Sequence, residues 1–184
     1  MAEAVGHFIT DIGRDNIFEG DVYITNDPWK GTGHLHDFTV VTPVFRTGGL
    51  IGFFACTAHV VDIGGRGFGP DAHEVYEEGL FVPIMKFAER GVVNRTLVDF
   101  VRHNVRENNQ VVGDIYSLAA CNEVGRRRLM DMMDEFAIAD LETLADFIFK
   151  RSHDATLQCL SALPPGSYAN TMRVDGYDTA IDIA

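Results

Sequence analysis

Gly31-Thr32-Gly33-His34-Leu35-His36-Asp37, then Phe38 to Phe45, Arg46-Thr47-Gly48-Gly49, Leu50 to Ala58 and His59-Val60-Val61-Asp62, read as one β-hairpin with ligand-type side chains at its open end. The two apolar runs have the length and β-forming content of strands, and the segment between them is turn chemistry. A turn centred between Thr47 and Gly48 places Asp37 opposite Ala58 and His36 opposite His59, to within a residue or two. The imidazoles of His34 and His59 and the carboxylate of Asp37 therefore converge. Two imidazoles and one carboxylate suit Zn²⁺, Mn²⁺ or Fe²⁺ with positions left open. The competing reading is a polar, hydrogen-bonded strand end. Each half of the motif is a His-x-x-Asp, and Asp62 is open to three roles: it orients an imidazole, acts as a base, or starts the turn that follows. His36 reads as a substrate contact or as a neighbour of His59.

Working outward, Gly20 to Thr25 alternates as a strand does and ends in the turn residues Asn26-Asp27-Pro28. Residues 2–13 suggest a short helix. Beyond the hairpin, Gly64, Gly65, Gly67 and Gly69 make a loop with little side chain to bury, which either wraps a ligand or is mobile. It fits neither G-x-G-x-x-G nor a Gly-Lys-Ser/Thr phosphate loop. Glu74, Glu77 and Glu78 form an acidic segment best read as a solvated face. Asn94 is placed to cap a helix carrying Leu97, Val98, Val101 and Val105. A longer helix follows with Ile115, Leu118, Ala119, Leu129, Met132, Met133 and Phe136 on one stripe. Asp140 caps a third, whose expected buried face is Leu141, Leu144, Ala145 and Ile148, and Leu163-Pro164-Pro165-Gly166 ends it. Ser167 to Ala184 alternates around Asp175-Gly176 as a further hairpin with an exposed edge.

The expected fold class is α+β: β-hairpins carrying a metal site, three helices, and a C-terminal hairpin. The corresponding regions, read as parts of one incomplete domain, are 1–92 (β-rich, with the metal site), 93–163 (helical) and 164–184 (the start of a further β region). The chain has 184 residues, 46% of them hydrophobic, enough for one sizeable core. Its formal net charge of −12 argues against a sequence-independent nucleic-acid binder. The one basic run, Arg126-Arg127-Arg128, spreads around a helix as solvated or interface charge. Cys56, Cys121 and Cys159 form neither a disulfide framework nor a thiolate zinc motif. No signal peptide or membrane-spanning run is legible, so a cytoplasmic location is the default expectation.

Taken together, Gly20-Asp21-Val22-Tyr23-Ile24-Thr25-Asn26-Asp27-Pro28, Gly33 to Phe45, Ala58-His59-Val60-Val61-Asp62-Ile63-Gly64-Gly65 and Glu77-Glu78-Gly79-Leu80 resemble the hydantoinase B/oxoprolinase family. Asn104-Val105-Arg106 and Gly113-Asp114 extend the resemblance over nearly the whole chain. It implies a B-type subunit acting with a hydantoinase A-type partner that uses ATP, in an oligomeric assembly. The implied activities are opening of cyclic amides such as 5-oxoproline, N-methylhydantoin and caprolactam, or carboxylation of ketones such as acetone and acetophenone. The resemblance places the metal ligands on His34, Asp37 and His59, and leaves Asp62 and His36 as candidate catalytic residues. ATP would enter only through the partner. Two departures stand out. Many amide-opening members carry Pro where this chain has His36, which brings a carboxylase-like relative into view. Members are also several hundred residues longer, extending on both sides, with another acidic ligand upstream, so the chain is expected to be a fragment or one piece of a split subunit, or a non-catalytic assembly module.

Overall fold

The computed structural model describes residues 1–67, 69–173 and 181–183. They divide into two compact units, Met1–Ala139 and Asp140–Ala184. The first unit is built on a five-stranded antiparallel sheet of β1 (Val22–Thr25), β2 (Asp37–Arg46), β3 (Gly49–His59), β4 (Met85–Glu89) and β5 (Val92–Val93), in the order β3-β2-β1-β4-β5. Helix α1 (Ala2–Ile12) precedes the sheet, the single-turn α2 (Val75–Glu78) interrupts it, and α3 (Arg95–Asn104) and α4 (Asn108–Glu135) follow it. This is the α+β class expected.

Alternation along the strands sorts the core into two layers. Ile24, Phe38, Val40 and Phe87 face one way and pack with Leu97 and Val101 of α3 and Val111, Ile115 and Leu118 of α4. Tyr23 and Val41 face the other way and pack with Phe8 of α1 and Ile17. With both faces covered, Phe38 to Val44 of β2 is buried without a break, and its sequence is correspondingly a near-continuous apolar run. α4 approaches β3 closely because Gly125 has no side chain: a Cβ there would lie 2.7 Å from the Phe54 ring. Asn122, buried in the same helix, donates to the Val40 carbonyl at 3.1 Å and to Thr42 Oγ1 at 3.2 Å. Compositional division puts α3 and α4 in a helical region of their own. In the structure they belong with the sheet, because they cover one of its faces and complete the core there.

The hairpin turn is a two-residue connection with Thr47 at φ 49° and Gly48 at φ 82°, the twist that β2 and β3 require. Near the turn Phe45 pairs with Leu50, as the centring on Thr47 and Gly48 predicts. A bulge then leaves Val44 opposite Gly52, making Ile51 the extra residue. Every pair beyond it shifts by one, so Asp37 lies opposite His59 and not Ala58.

Asp21 anchors the opposite end of the sheet. Its fully buried carboxylate accepts from Tyr23 Oη (2.8 Å), Phe18 N (3.1 Å) and Arg90 N (2.9 Å), with Lys86 Nζ at 3.1 Å. Burial works against the charge, but the hydrogen bonds from Arg90, Tyr23, Lys86 and Phe18 outweigh it and hold the carboxyl below its usual 3.8.

The second unit contains α5 (Glu142–Ser161) and the antiparallel pair β6 (Asn170–Met172) and β7 (Ile181–Ile183). The N-cap position of α5 is Leu141, without a side-chain cap, and not Asp140 as expected; Asp140, one residue earlier, still accepts from Glu142 N at 3.0 Å and Thr143 N at 3.4 Å. The expected buried face is different: Leu144 is 38% and Ile148 54% exposed, and α5 has no buried residue among those described. Periodicity marks an apolar stripe but not what covers it. The Asp175-Gly176 turn expected between the last strands lies outside the described residues.

Because its folded pKa is depressed, Asp21 contributes stability that is complete above the unfolded value and is lost as pH falls through the folded one. Asp21→Asn is expected to lower the unfolding free energy at pH 7 by roughly 2 kcal/mol or more. It should also make the loss of stability below about pH 4 shallower than in the native chain, as read by urea melts at a series of pH values.

Candidate metal centre

The backbone brings three ligand-type residues together before any side-chain contact is considered. Val60 N donates to the His36 carbonyl at 2.8 Å, which makes His36 and Val60 a hydrogen-bonded cross-strand pair. The adjacent pair, Asp37 and His59, is then non-hydrogen-bonded, the position at which facing side chains approach most closely. Asp37 N turns back to the His34 carbonyl at 3.1 Å. The His-x-x-Asp spacing is thus a turn that folds His34 over Asp37.

His59 Nδ1 lies 2.8 Å from Asp37 Oδ1, and His34 Nδ1 lies 3.4 Å from Asp37 Oδ2. The His34 and His59 rings meet edge to face, with centroids 5.9 Å apart. One ligand atom from each of the three residues lies within 4.8 Å of the other two. Thr32 Oγ1 donates to Asp37 Oδ2 at 3.0 Å. Burial disfavours the ionised Asp37, but the hydrogen bonds from His59, Thr32 and His34 prevail and depress its pKa. The side chain of Asp37 is only 14% exposed, against 62% for His34 and 46% for His59. The cluster is closed beneath the carboxylate and open above the imidazoles. An anionic oxygen and two imidazole nitrogens at this spacing, with one open side, fit a divalent metal.

His36 lies under His59, with ring centroids 5.0 Å apart and planes 9° from parallel. Burial, and then the neighbouring His59, lower its pKa, which favours the neutral ring. Of its two sequence readings, the geometry gives the neighbour of His59. Asp62 is placed differently from Asp37. Its Oδ1 accepts from Gly64 N at 3.1 Å and Arg106 Nη1 at 2.9 Å, and its Oδ2 accepts from Arg106 N and from Glu107 N at 3.4 Å. Burial raises its pKa, and the hydrogen bonds, with Arg106 N–H and Gly64 N–H foremost, more than reverse that. Asp62 starts the turn into the glycine loop and ties it to the beginning of α4.

That loop is tightly packed around Gly64 and Gly65. A Cβ on Gly64 would lie 2.4 Å from the Asn104 carbonyl oxygen, and one on Gly65 would lie 2.4 Å from that of Glu78. Arg106 also donates to the Gly64 carbonyl at 3.1 Å and to that of Gly65. Here glycine serves close backbone approach.

Asn26 has a larger role than its sequence context suggests. Fully buried, its Nδ2 donates to the carbonyls of Leu35 (2.7 Å) and Leu80 (2.8 Å), and its Oδ1 accepts from Val82 N (2.6 Å). Leu35 is the residue between His34 and His36, so Asn26 fastens the ligand turn to the chain after α2. Beside Asp27-Pro28 it looks like an ordinary turn former. No local sequence signal separates the two roles.

The sequence profile described as Hydantoinase B/oxoprolinase matches residues 1–184. A candidate B-type subunit of the D-/L-hydantoinase of Pseudomonas sp. (strain NS671) is 31% identical over 168 residues, 89% of this chain and 28% of that protein. The beta chain of the caprolactamase of Pseudomonas jessenii is 30% identical over 160 residues, 85% of this chain and 28% of that protein. The crystal structure of the ATP-dependent caprolactamase from Pseudomonas jessenii superposes with a TM-score of 0.84 at 28% identity, covering 93% of this chain and 30% of that one. The chain thus spans under a third of the length of these relatives.

Asn26→Leu keeps the heavy-atom branching, in a somewhat larger side chain, but leaves two carbonyls and one N–H without the side-chain partner they have here. It is expected to cost roughly 2–4 kcal/mol in urea unfolding. Asp27→Ala removes an acceptor from the exposed Trp29 N–H (2.9 Å) and should cost under about 1 kcal/mol.

Proposed function

We propose, from the premise that this chain belongs to the hydantoinase B/oxoprolinase family, that it forms the metal-bearing part of a B-type subunit that hydrolyses a cyclic amide. The observation that carries the reading is the convergence of His34, Asp37 and His59 on the open end of a rigid hairpin. The activities for which the relatives are named, hydantoinase and caprolactamase, point to an amide carbonyl, and the latter is described as ATP-dependent. ATP would be used by an A-type partner that activates the carbonyl, with the B-type site completing the cleavage in an oligomeric assembly.

The metal, Zn²⁺, Mn²⁺ or Fe²⁺, would be held by His34, Asp37 and His59, and when bound it supplies Lewis acidity toward a carbonyl and lowers the pKa of water. The protein's own groups set the geometry. Asp37 contributes the anionic oxygen, fixed by Thr32. His34 and His59 contribute nitrogens from the exposed side, where a substrate has access. Asn26 holds the turn that carries His34. Asp62, engaged by Arg106, Gly64 and Glu107, supports the loop beside the site.

Ketone carboxylation is the second reading, favoured by His36 at a position where many amide-opening members carry Pro. No helix among the described residues is long and apolar enough to cross a membrane.

Protein purified without chelator is expected to contain a divalent metal, and His59→Ala to lose it, as measured by elemental analysis. With an A-type partner and ATP, 5-oxoproline, hydantoin or caprolactam should drive phosphate release, and His59→Ala should abolish it. Release driven instead by a ketone with bicarbonate selects the carboxylase reading. No metal in the native protein, with unchanged turnover in His59→Ala, rules out the metal site. A metal-bearing chain that gives no phosphate release with any of these substrates points to an assembly module.

A further inference from the structure

We infer that His36 is a positioning residue whose ring, stacked on His59, fixes the plane of that imidazole for metal binding. The inference rests on the metal reading of the His34, Asp37 and His59 cluster and adds to it a residue outside the ligand set.

His59 stands at the last position of β3, where the strand no longer holds its side chain from both directions. Its ring is nearly half exposed, and an exposed imidazole is free to turn about χ2, whose rotamer wells are broad. Its described neighbours include the edge of the His34 ring, with centroids 5.9 Å apart, and two contacts that bear directly on its orientation. Asp37 Oδ1 lies at 2.8 Å from Nδ1, a hydrogen bond that constrains the direction of one nitrogen. A hydrogen bond of this kind constrains a direction and not, by itself, the plane of the ring. The second contact is the flat face of His36, 9° from parallel at a centroid separation of 5.0 Å, an offset stack of the kind aromatic pairs prefer. A line and a plane together define the ring's orientation.

His36 itself is well held. It is 6% exposed, its carbonyl accepts from Val60 N at 2.8 Å, and the preceding residue, Leu35, is fully buried and bonded to Asn26. A buried ring on a tethered backbone, beneath a more exposed ring, is the arrangement in which the first can order the second. His36 lies within the turn that the Asp37 N–H closes on the His34 carbonyl. That turn therefore carries His36 of the stack together with His34 and Asp37 of the ligand cluster.

The test is direct metal binding by the chain alone. Zn²⁺ affinity is measured against a chromophoric chelator, and Co²⁺ absorption spectra report the ligand geometry. His36→Phe keeps a flat ring and His36→Leu keeps a comparable volume without one. Circular dichroism and metal-free thermal melts establish that both fold. His36→Leu is expected to bind Zn²⁺ about 10–100-fold more weakly, the range typical of groups that orient ligands, with altered Co²⁺ bands. His36→Phe should stay within a few-fold of the native chain with native bands. If the native chain binds and both variants bind equally well, or both weaken alike, the stack does not position His59, while the metal site stands. If the native chain binds neither ion, the metal reading itself fails, and this inference with it.

Discussion

The opposition of Asp37 and His59 across the β2–β3 ladder is the constraint on which the rest of the site depends. It is set by backbone register and not by attraction between the side chains, so it is fixed before either group ionises or binds anything. The register is set in turn by the bulge at Ile51, close to the hairpin turn and far from the site along β3. Without that extra residue Asp37 would face Ala58, and the side chain of His59 would lie on the opposite face of the sheet from Asp37. A small irregularity near the turn thus decides whether a carboxylate and an imidazole meet at the far end.

The two His-x-x-Asp segments use the same spacing for different ends. In the first, the turn from His34 to Asp37 closes on itself through Asp37 N, and both side chains stay on the rim of the hairpin. In the second, the chain leaves the strand after His59, and Asp62 is drawn inward to the N–H groups that precede α4. Those amides lie just before α4, where no intrahelical carbonyl is available to them and the positive end of the helix dipole is near, so a carboxylate is the natural group to meet them. Arg106 adds its guanidinium to the same carboxylate and to the Gly64 carbonyl. Ligand supply and architecture have divided the two aspartates between them.

Much of this was legible in the residue pattern, and what was not has identifiable causes. The hairpin and its turn follow from β-forming runs around Thr47-Gly48, and the Asn94 cap from a side chain that satisfies Leu97 N; the meeting of Asp37 with His59 falls within the residue or two of uncertainty in the expected pairing and is brought about by the bulge. The bulge has no local signature, because Gly49 to Gly52 reads equally well in either register. Asn26 and Asn122 make their defining bonds to residues distant along the chain, at Leu80 and Val82 and at Val40 and Thr42, so no window of neighbours reveals them. The stripe on α5 was visible as a pattern. Burial is a property of what lies opposite, which the pattern does not contain.

Asp62 adds no second carboxylate to this cluster. Both of its oxygens are engaged by Gly64, Arg106 and Glu107, and the ligand-type groups that converge are one carboxylate and two imidazoles. Under the proposed function, a divalent ion held by these three groups alone would keep about one unit of positive charge by simple counting, and such a charge would polarise a carbonyl approaching from the exposed imidazole side.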